Sequence, residues 1–356
     1  MIGSLVSKLA FGALIALGIL AAPLGARFDL GPEDLLLRYL DKGRYVTYSA
    51  IVEHRRGPGS RNVMQFKVEQ DSKGRIKYTL LQPISMQGMV SVDDGKTWTN
   101  YHPDENRLMV QMSPRVKQQD PQERIKLAAR NYSFELVRDV EVAGRKVLVV
   151  VAKPKSTDMP IREYSIDPFR NTLLKLEIKP PNDDEVVLMD TKSISYPRSI
   201  PSETFEITAA GNVRKITLDD PKPLESVRNP ESLLGFRPVI PKALPDGFEL
   251  LFSEIAGPEE RQFLAVRITD GLVFSTVMQS KMRTEVRESR GGRDHQMTAS
   301  GVAISVSGDI PEAVRKRILE AFVKANGGPL GPTWERPRFA SSLYGTSPRF
   351  GFWKLN

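Results

Sequence analysis

Side chains suited to acid–base catalysis or metal binding are few and scattered in this chain of 356 residues. The three histidines, His54, His102 and His295, stand far apart, and the absence of cysteine rules out thiol nucleophiles and thiolate-bound metals. Adjacent aspartates occur at Asp93–Asp94, Asp183–Asp184 and Asp219–Asp220. They accompany turn signals or a proline-rich segment, where Asp side chains hydrogen-bond locally. With no recognisable catalytic or phosphate-binding motif, the sequence predicts a protein without enzymatic activity, cofactor or resident metal.

A more informative group of side chains lies between Arg44 and Met112, which hold five of the eleven methionines. Methionine adapts to irregular apolar surfaces, and ligand sites are concave and mostly apolar. Nine side chains are therefore candidates for lining a lipid or lipopeptide cavity: Val46, Tyr48, Met64, Phe66, Ile76, Tyr78, Met89, Trp98 and Met109. The same pattern also describes an ordinary hydrophobic core, so both interpretations stay open.

The elements that would position these side chains follow from their spacing. Apolar residues recur at every second position, and turn residues interrupt them at 57–60, 71–74, 93–96 and 103–106. This pattern predicts an antiparallel meander with one apolar face. Helix starts at Pro32 and at Asp120-Pro121 predict two helices that cover part of that face. Further strands run to residue 207, so the expected fold class is α+β.

The N-terminal residues 1–26 are typical of a secretory signal, with Lys8 before an apolar run at 9–24 and a cleavage site after Ala26. The alternative is an uncleaved anchor, although the run is short of the roughly 20 residues that span a bilayer. Without a cysteine at the cleavage point the protein is not expected to be a lipoprotein. The expected location is the periplasm or cell envelope.

The predicted domain organisation is a signal peptide at 1–26, a half-barrel domain at 27–207, a proline-containing linker at 208–229, a smaller α+β domain at 230–326, and a tail rich in Pro, Gly and aromatic residues at 327–356. Candidate partner-binding residues are Arg287, Arg290 and Arg293 in a polar loop and Trp334 and Trp353 in the tail. The tail either binds a partner or packs on its own domain. The net charge of +8 suits an anionic surface or partner. Nucleic acid is not expected, because the basic loop lacks interleaved aromatic residues.

Several of these segments, in this order, resemble the LolA/LolB superfamily of exported bacterial proteins, and most of all its RseB/MucB-like branch of sigma-E regulators. The resemblance rests on the signal peptide and on residues 34–40, 45–50, 93–98, 167–171, 200–205, 244–248 and 301–322. It implies an antiparallel half-barrel packed on helices, with an apolar cavity that can hold acyl chains. It also implies binding to a membrane-anchored anti-sigma-type protein, which the regulatory members shield from proteolysis, and a role in the response to envelope stress.

Three functions remain compatible with the sequence. The first is a lipid-sensing regulator of sigma-factor signalling, in which the half-barrel binds a lipid-like ligand and the smaller domain binds a protein. The second is a periplasmic carrier of lipids or lipoproteins. The third is an envelope adaptor without ligand, whose apolar face is only core.

Overall fold

The structure, a computed structural model, describes residues 30–55, 63–181, 185–209, 211–281, 294–298 and 300–329. The described residues from Gly31 onward belong to one compact unit. The predicted signal peptide, the basic loop with Arg287, Arg290 and Arg293, and the tail with Trp334 and Trp353 lie outside these ranges. Within them, no helix combines the length and the apolar composition that a bilayer-crossing segment needs.

A large open sheet is formed by twelve strands. In chain order they are β1 (Tyr48–Arg55), β2 (Val63–Gln70), β3 (Ile76–Gln82), β4 (Val90–Asp93), β5 (Thr97–His102), β6 (Arg107–Met112), β7 (Tyr132–Val142), β8 (Arg145–Pro154), β9 (Ile161–Asp167), β10 (Thr172–Lys179), β11 (Val186–Ser195) and β12 (Arg214–Thr217). Their spatial order is β12-β6-β5-β4-β3-β2-β1-β11-β10-β9-β8-β7. The described pairings are antiparallel apart from β12, which runs parallel to β6. The predicted antiparallel meander is therefore confirmed, as β1 to β6.

Two helices lie next to this sheet. Helix α1 (Pro32–Lys42) buries Leu35 and Leu36, and helix α2 (Pro121–Asn131) packs against α1 and β7. The α2 helix begins as its sequence predicts, because Asp120 Oδ1 accepts hydrogen bonds from the backbone N–H groups of Gln122 (2.8 Å) and Glu123 (3.2 Å).

A second sheet of six strands follows in the chain. It contains β13 (Lys222–Pro223), β14 (Glu249–Ala256), β15 (Phe263–Thr269), β16 (Phe274–Lys281), β17 (Asp294–Met297) and β18 (Val302–Gly308), in the order β13-β14-β15-β16-β18-β17. The short helix α3 (Pro230–Leu234) precedes β14, and helix α4 (Glu312–Ala325) packs on β17 and β18. Val314, Ile318 and Phe322 of α4 lie four residues apart and share a buried face.

Hydrogen bonds join helix α2 and strand β7 to the turn between β15 and β16. Arg124 Nε donates to the carbonyl oxygen of Gly271 (2.9 Å), and Asn131 Nδ2 donates to that of Asp270 (2.9 Å). The Tyr132 hydroxyl donates to Asp270 Oδ2 (2.6 Å), and both side chains are buried. The two sheets therefore meet through specific buried polar contacts.

Candidate functional site

The nine apolar candidates from the sequence fall into three groups. The buried group is Met64, Phe66, Ile76 and Met89, which belong to one core cluster on the first sheet. Tyr48, Tyr78 and Trp98 are partly buried and pack against that cluster. Val46 is half-buried just before β1, and Met109 is buried on β6, both outside the cluster. Seven of the nine candidates are thus brought together on one face of the meander.

A small cavity lies beside this core cluster. Tyr48, His54, Tyr78 and Gln70 contribute to its wall, and its volume is about 100 Å³. Small-molecule sites usually occupy roughly 300–1,000 Å³, whereas this cavity has room for about three water molecules at roughly 30 Å³ each. Side chains of the protein itself therefore fill most of the space on this face.

His54 is the buried titratable group of this cavity. Its ring packs edge-on against Phe66 with centroids 5.7 Å apart, and its side chain is 8% exposed. Burial lowers the pKa of His54 to about 4, because the imidazolium form would lose its hydration. The ring is therefore neutral at physiological pH, and its protonation opposes folding.

This burial predicts an acid-sensitive stability. Between the unfolded pKa of about 6.5 and the folded pKa of about 4, the unfolded chain binds more protons, so stability falls as the pH falls. From about pH 7 to about pH 5 the free energy of unfolding should drop by about 2 kcal/mol through this group. Urea unfolding at both pH values should show that His54→Leu lacks this drop.

His102 provides the comparison variant. Its pKa is also lowered, first by burial and then by Arg107, but the nearby carboxylates of Glu105 and Asp104 oppose that shift. His102→Leu should therefore reduce the acid sensitivity less than His54→Leu does. If both variants reduced the acid sensitivity equally, burial of His54 would not be the main cause of the loss of stability at low pH.

A much larger cleft, of about 770 Å³, lies between β5, β6 and β12 of the first sheet and β14 to β16 of the second. Its apolar lining is formed by Trp98, Met109, Met112, Ile216, Leu218, Leu251, Phe252 and Phe274. Its charged lining is formed by Arg107, Lys117, Arg214, Asp219, Glu254 and Arg267. A volume in the range of known small-molecule sites and a mixed lining make this cleft suitable for an elongated apolar ligand.

One ion pair bridges the cleft from sheet to sheet. Lys117, just after β6, pairs with Glu254 of β14, and its Nζ lies 5.6 Å from the ring centroid of Phe252. Burial lowers the pKa of the neighbouring Arg267 guanidinium, and the Glu254 carboxylate partly opposes that effect. The apolar surface is thus accompanied by fixed charges that hold its two sides together.

The sequence pointed to only two side chains of this cleft, Trp98 and Met109. The contributions of β12 and of the second sheet were missed, because residues 208–229 were predicted to be a linker. Alternation of Ile216 and Leu218 with polar residues was the available signal. Among the described residues, no group of three His, Asp or Glu side chains is placed to hold a metal ion.

Comparisons with known proteins define the class of fold. No protein-family model and no curated protein sequence matches this chain. Solved structures do match, and the fold they define is that of MucB. A structure of MucB in complex with MucA(peri) aligns with 81% of this chain and 97% of its own, at 16% identity and a TM-score of 0.57. MucB alone aligns over 81% of this chain and 96% of its own, at 17% identity and a TM-score of 0.54.

A third solved structure, the MucA/MucB complex of Pseudomonas aeruginosa, gives the same identity of 16% and TM-score of 0.57, with 81% of this chain and 96% of that chain covered. The RseB/MucB-like resemblance noted in the sequence is therefore confirmed at the level of the fold. A LolA superfamily protein from Nitrosomonas europaea aligns over 50% of this chain and 98% of its own at 12% identity and a TM-score of 0.26, which is too low to support a conclusion.

Proposed function

We propose that this protein is an exported, non-enzymatic regulator of the RseB/MucB type. It holds a lipid-like ligand in the cleft between the two sheets and binds a membrane-anchored anti-sigma-type protein. The observation that carries the proposal is the cleft of about 770 Å³, with its apolar lining from both sheets. The fold supports the protein partner, because MucB has been solved in complex with MucA(peri).

The position of the cleft suggests how a ligand could act on a partner. Trp98 and Met109 belong to the first sheet, while Leu251 and Phe252 belong to the second. A ligand that touches both sides stabilises one arrangement of the two sheets over others, and only such a difference can change partner affinity. The Lys117–Glu254 pair lies where an entering ligand would meet it.

Native mass spectrometry tests the ligand. The protein is purified without detergent from a bacterial envelope fraction, and a mass excess that extracts as phospholipid or lipopeptide is expected. The mass of the protein in the same spectrum also identifies its N-terminus, which we expect to follow Ala26. A bare mass, together with no displacement of a fluorescent fatty acid, would argue against ligand binding and favour the adaptor without ligand.

A charge placed in the cleft should abolish this binding. Ile216 lies on the short strand β12, is only partly buried and lines the cleft. In Ile216→Asp, the carboxylate would have to be desolvated for an acyl chain to enter and would repel the carboxylate of the probe, so affinity for the fatty-acid probe should fall at least about tenfold. Lys215→Ala, on the same strand but outside the lining, should bind as the parent does. Equal binding by all three proteins would exclude this cleft as the site.

The partner is tested separately by capture of a purified anti-sigma-type periplasmic domain. We expect binding by the parent protein, and a change in affinity when the cleft is occupied. Removal of residues 327–356, which include Trp334 and Trp353, tests whether the tail contributes to binding of this domain. Arg287, Arg290 and Arg293 are the other candidate residues for this contact. A ligand-loaded protein that binds no such domain but passes its acyl ligand to an acceptor would instead be a carrier.

A further inference from the structure

One end of the first sheet carries four connections, which are joined in two pairs. They are the β2–β3 turn at 71–75, the β4–β5 turn at 94–96, the β9–β10 turn at 168–171 and the exit of β11 at 196–199. Arg115 Nη1 donates to the carbonyl oxygen of Gly74 (2.6 Å) and Arg115 Nη2 to that of Asp93 (2.8 Å), which joins the first two. Tyr196 donates to Asp167 Oδ2 (3.4 Å), which joins the last two. We name this end the basic rim.

Most acidic groups of the basic rim are neutralised inside it. Three buried aspartates each pair with an arginine: Asp71 with Arg75 at 2.7 Å, Asp93 with Arg115 at 2.8 Å, and Asp167 with Arg145 at 2.7 Å. Because these carboxylates are already neutralised, they add little negative potential to the surface of the rim. The exposed charges alone therefore decide which ligand the rim attracts.

The exposed charges of the four connections are predominantly positive. The exposed cations are Lys73, Lys96, Arg170 and Arg198, and the exposed anion is Asp94. Asp94 is itself engaged, because its carboxylate accepts hydrogen bonds from the backbone N–H groups of Lys96 (2.8 Å) and Thr97 (2.6 Å). The four connections thus present four cations against one anion, and the adjoining segment 202–206, which accepts a hydrogen bond from Arg75 at Ser202 Oγ (3.1 Å), adds the exposed carboxylates of Glu203 and Glu206.

Two aromatic side chains project from the same rim. Phe169 is 66% exposed at the tip of the β9–β10 turn, and Tyr45 is 53% exposed beside Gly74. The backbone at Phe169 is held by hydrogen bonds, because Asp167 Oδ1 accepts from the backbone N–H groups of Phe169 (2.9 Å) and Arg170 (3.1 Å). A buried carboxylate thus fixes the backbone of the turn at Phe169 and Arg170, and the Arg170 guanidinium lies over the ring of Tyr196, 5.1 Å from its centroid.

We propose that the basic rim docks on the surface of an anionic phospholipid membrane. Aromatic rings partition into the interfacial region of a bilayer while neighbouring Lys and Arg side chains are attracted to anionic headgroups. The occupant is a membrane because the cationic and aromatic groups share one edge of the sheet, which matches the anionic headgroups and the interfacial region of a bilayer. Docking here would hold the protein beside a membrane-anchored partner, but it requires neither a ligand in the cleft nor that partner.

Vesicle co-sedimentation tests the proposal, using residues 31–356, which include all of the compact unit. The parent should bind vesicles of phosphatidylcholine and phosphatidylglycerol and bind pure phosphatidylcholine weakly. Phe169→Ser and the double variant Lys73→Glu, Arg170→Glu should each lose about tenfold in affinity for the anionic vesicles. Added salt should weaken binding of the parent, because the attraction is between exposed charges.

Matched controls are available elsewhere on the surface. Ile84, 82% exposed in the β3–β4 connection at the opposite end of the sheet, serves as the apolar control in Ile84→Ser. Lys126→Glu with Lys316→Glu makes the same change of net charge on exposed helix positions. Both should bind as the parent does. Loss of binding in the controls but not in the rim variants would overturn the proposal, as would a parent that fails to bind anionic vesicles.

Discussion

Replacing Gly271 by alanine is expected to destabilise the protein by at least about 3 kcal/mol. Gly271 has φ +100°, a backbone conformation that costs an L-residue roughly 1–3 kcal/mol. A Cβ atom at this position would also lie 2.3 Å from the backbone nitrogen of Ala128 and 2.8 Å from its Cβ. Neither atom can move without displacing helix α2, so overpacking adds to the backbone strain. Urea unfolding of Gly271→Ala measures the sum.

The variant Gly301→Ala separates the backbone strain from the overpacking. Gly301 also has a positive φ, +76°, but a Cβ atom there would meet open space. Gly301→Ala should therefore cost only the backbone term, about 1 kcal/mol. If the two variants were equally stable, the contact between α2 and the β15–β16 turn would be loose. If Gly271→Ala unfolded in two steps, the contact between α2 and the β15–β16 turn would be what makes the two sheets unfold together.

The strands of the first sheet were predictable because local rules agree there. Residues 44–112 combine alternation of apolar residues with turn chemistry such as Asp93-Asp94-Gly95, in which Asp93 Oδ1 accepts from the backbone N–H of Gly95 (2.8 Å). Each turn sets the register of the next hairpin, so errors do not accumulate along the meander. The α2 helix was predictable for the same reason, since its capping residues lie next to one another in the chain.

Long-range pairing was not predictable. Strand β12 has four residues and adds to β6 across about a hundred positions, as in the pairing of Arg214 with Arg107. The prolines and polar residues of the surrounding segment 208–229 are typical of a linker, and no local rule specifies a parallel partner. Helix α4 begins at Glu312 with Pro311 in the capping position and no side-chain cap. Ile310 is buried there, so packing decides where the helix begins.

In the candidate site, too, the local pattern was predictable and the long-range packing was not. Alternation identified the apolar face, but it could not tell a filled face from an empty one, because that depends on how side chains from distant strands pack. Met189 and Ile194 of β11 pack on the core cluster from more than a hundred residues away. The cleft is built between two sheets, and its Lys117–Glu254 pair joins residues that no pattern connects. Sequence reasoning therefore found the correct sheet and only part of the cleft.

Removing the carboxylate of Asp167 is expected to have the second large effect. Asp167 is fully buried, accepts two hydrogen bonds from Arg145 (2.7 and 2.9 Å) and caps the backbone of Phe169 and Arg170. In Asp167→Ala these donors lose their acceptor, and Arg145, 36% exposed, regains only part of its hydration. The expected loss is about 3 kcal/mol, at the lower end for breaking a buried pair. Urea unfolding at neutral pH gives the value.

Asp94→Ala is the control, because Asp94 accepts the same kind of backbone hydrogen bonds in an exposed turn without a paired arginine. It should cost about 1 kcal/mol, as loss of a comparable side-chain cap does. The difference between the two variants then gives the combined contribution of the ion pair with Arg145 and the hydrogen bond from Tyr196. Asp167→Ala should also weaken binding to anionic vesicles while Phe169 and Arg170 are both retained, because the turn that holds them outward is lost. Unchanged vesicle binding by a folded Asp167→Ala protein would show that Phe169 and Arg170 do not need a fixed turn to reach the membrane.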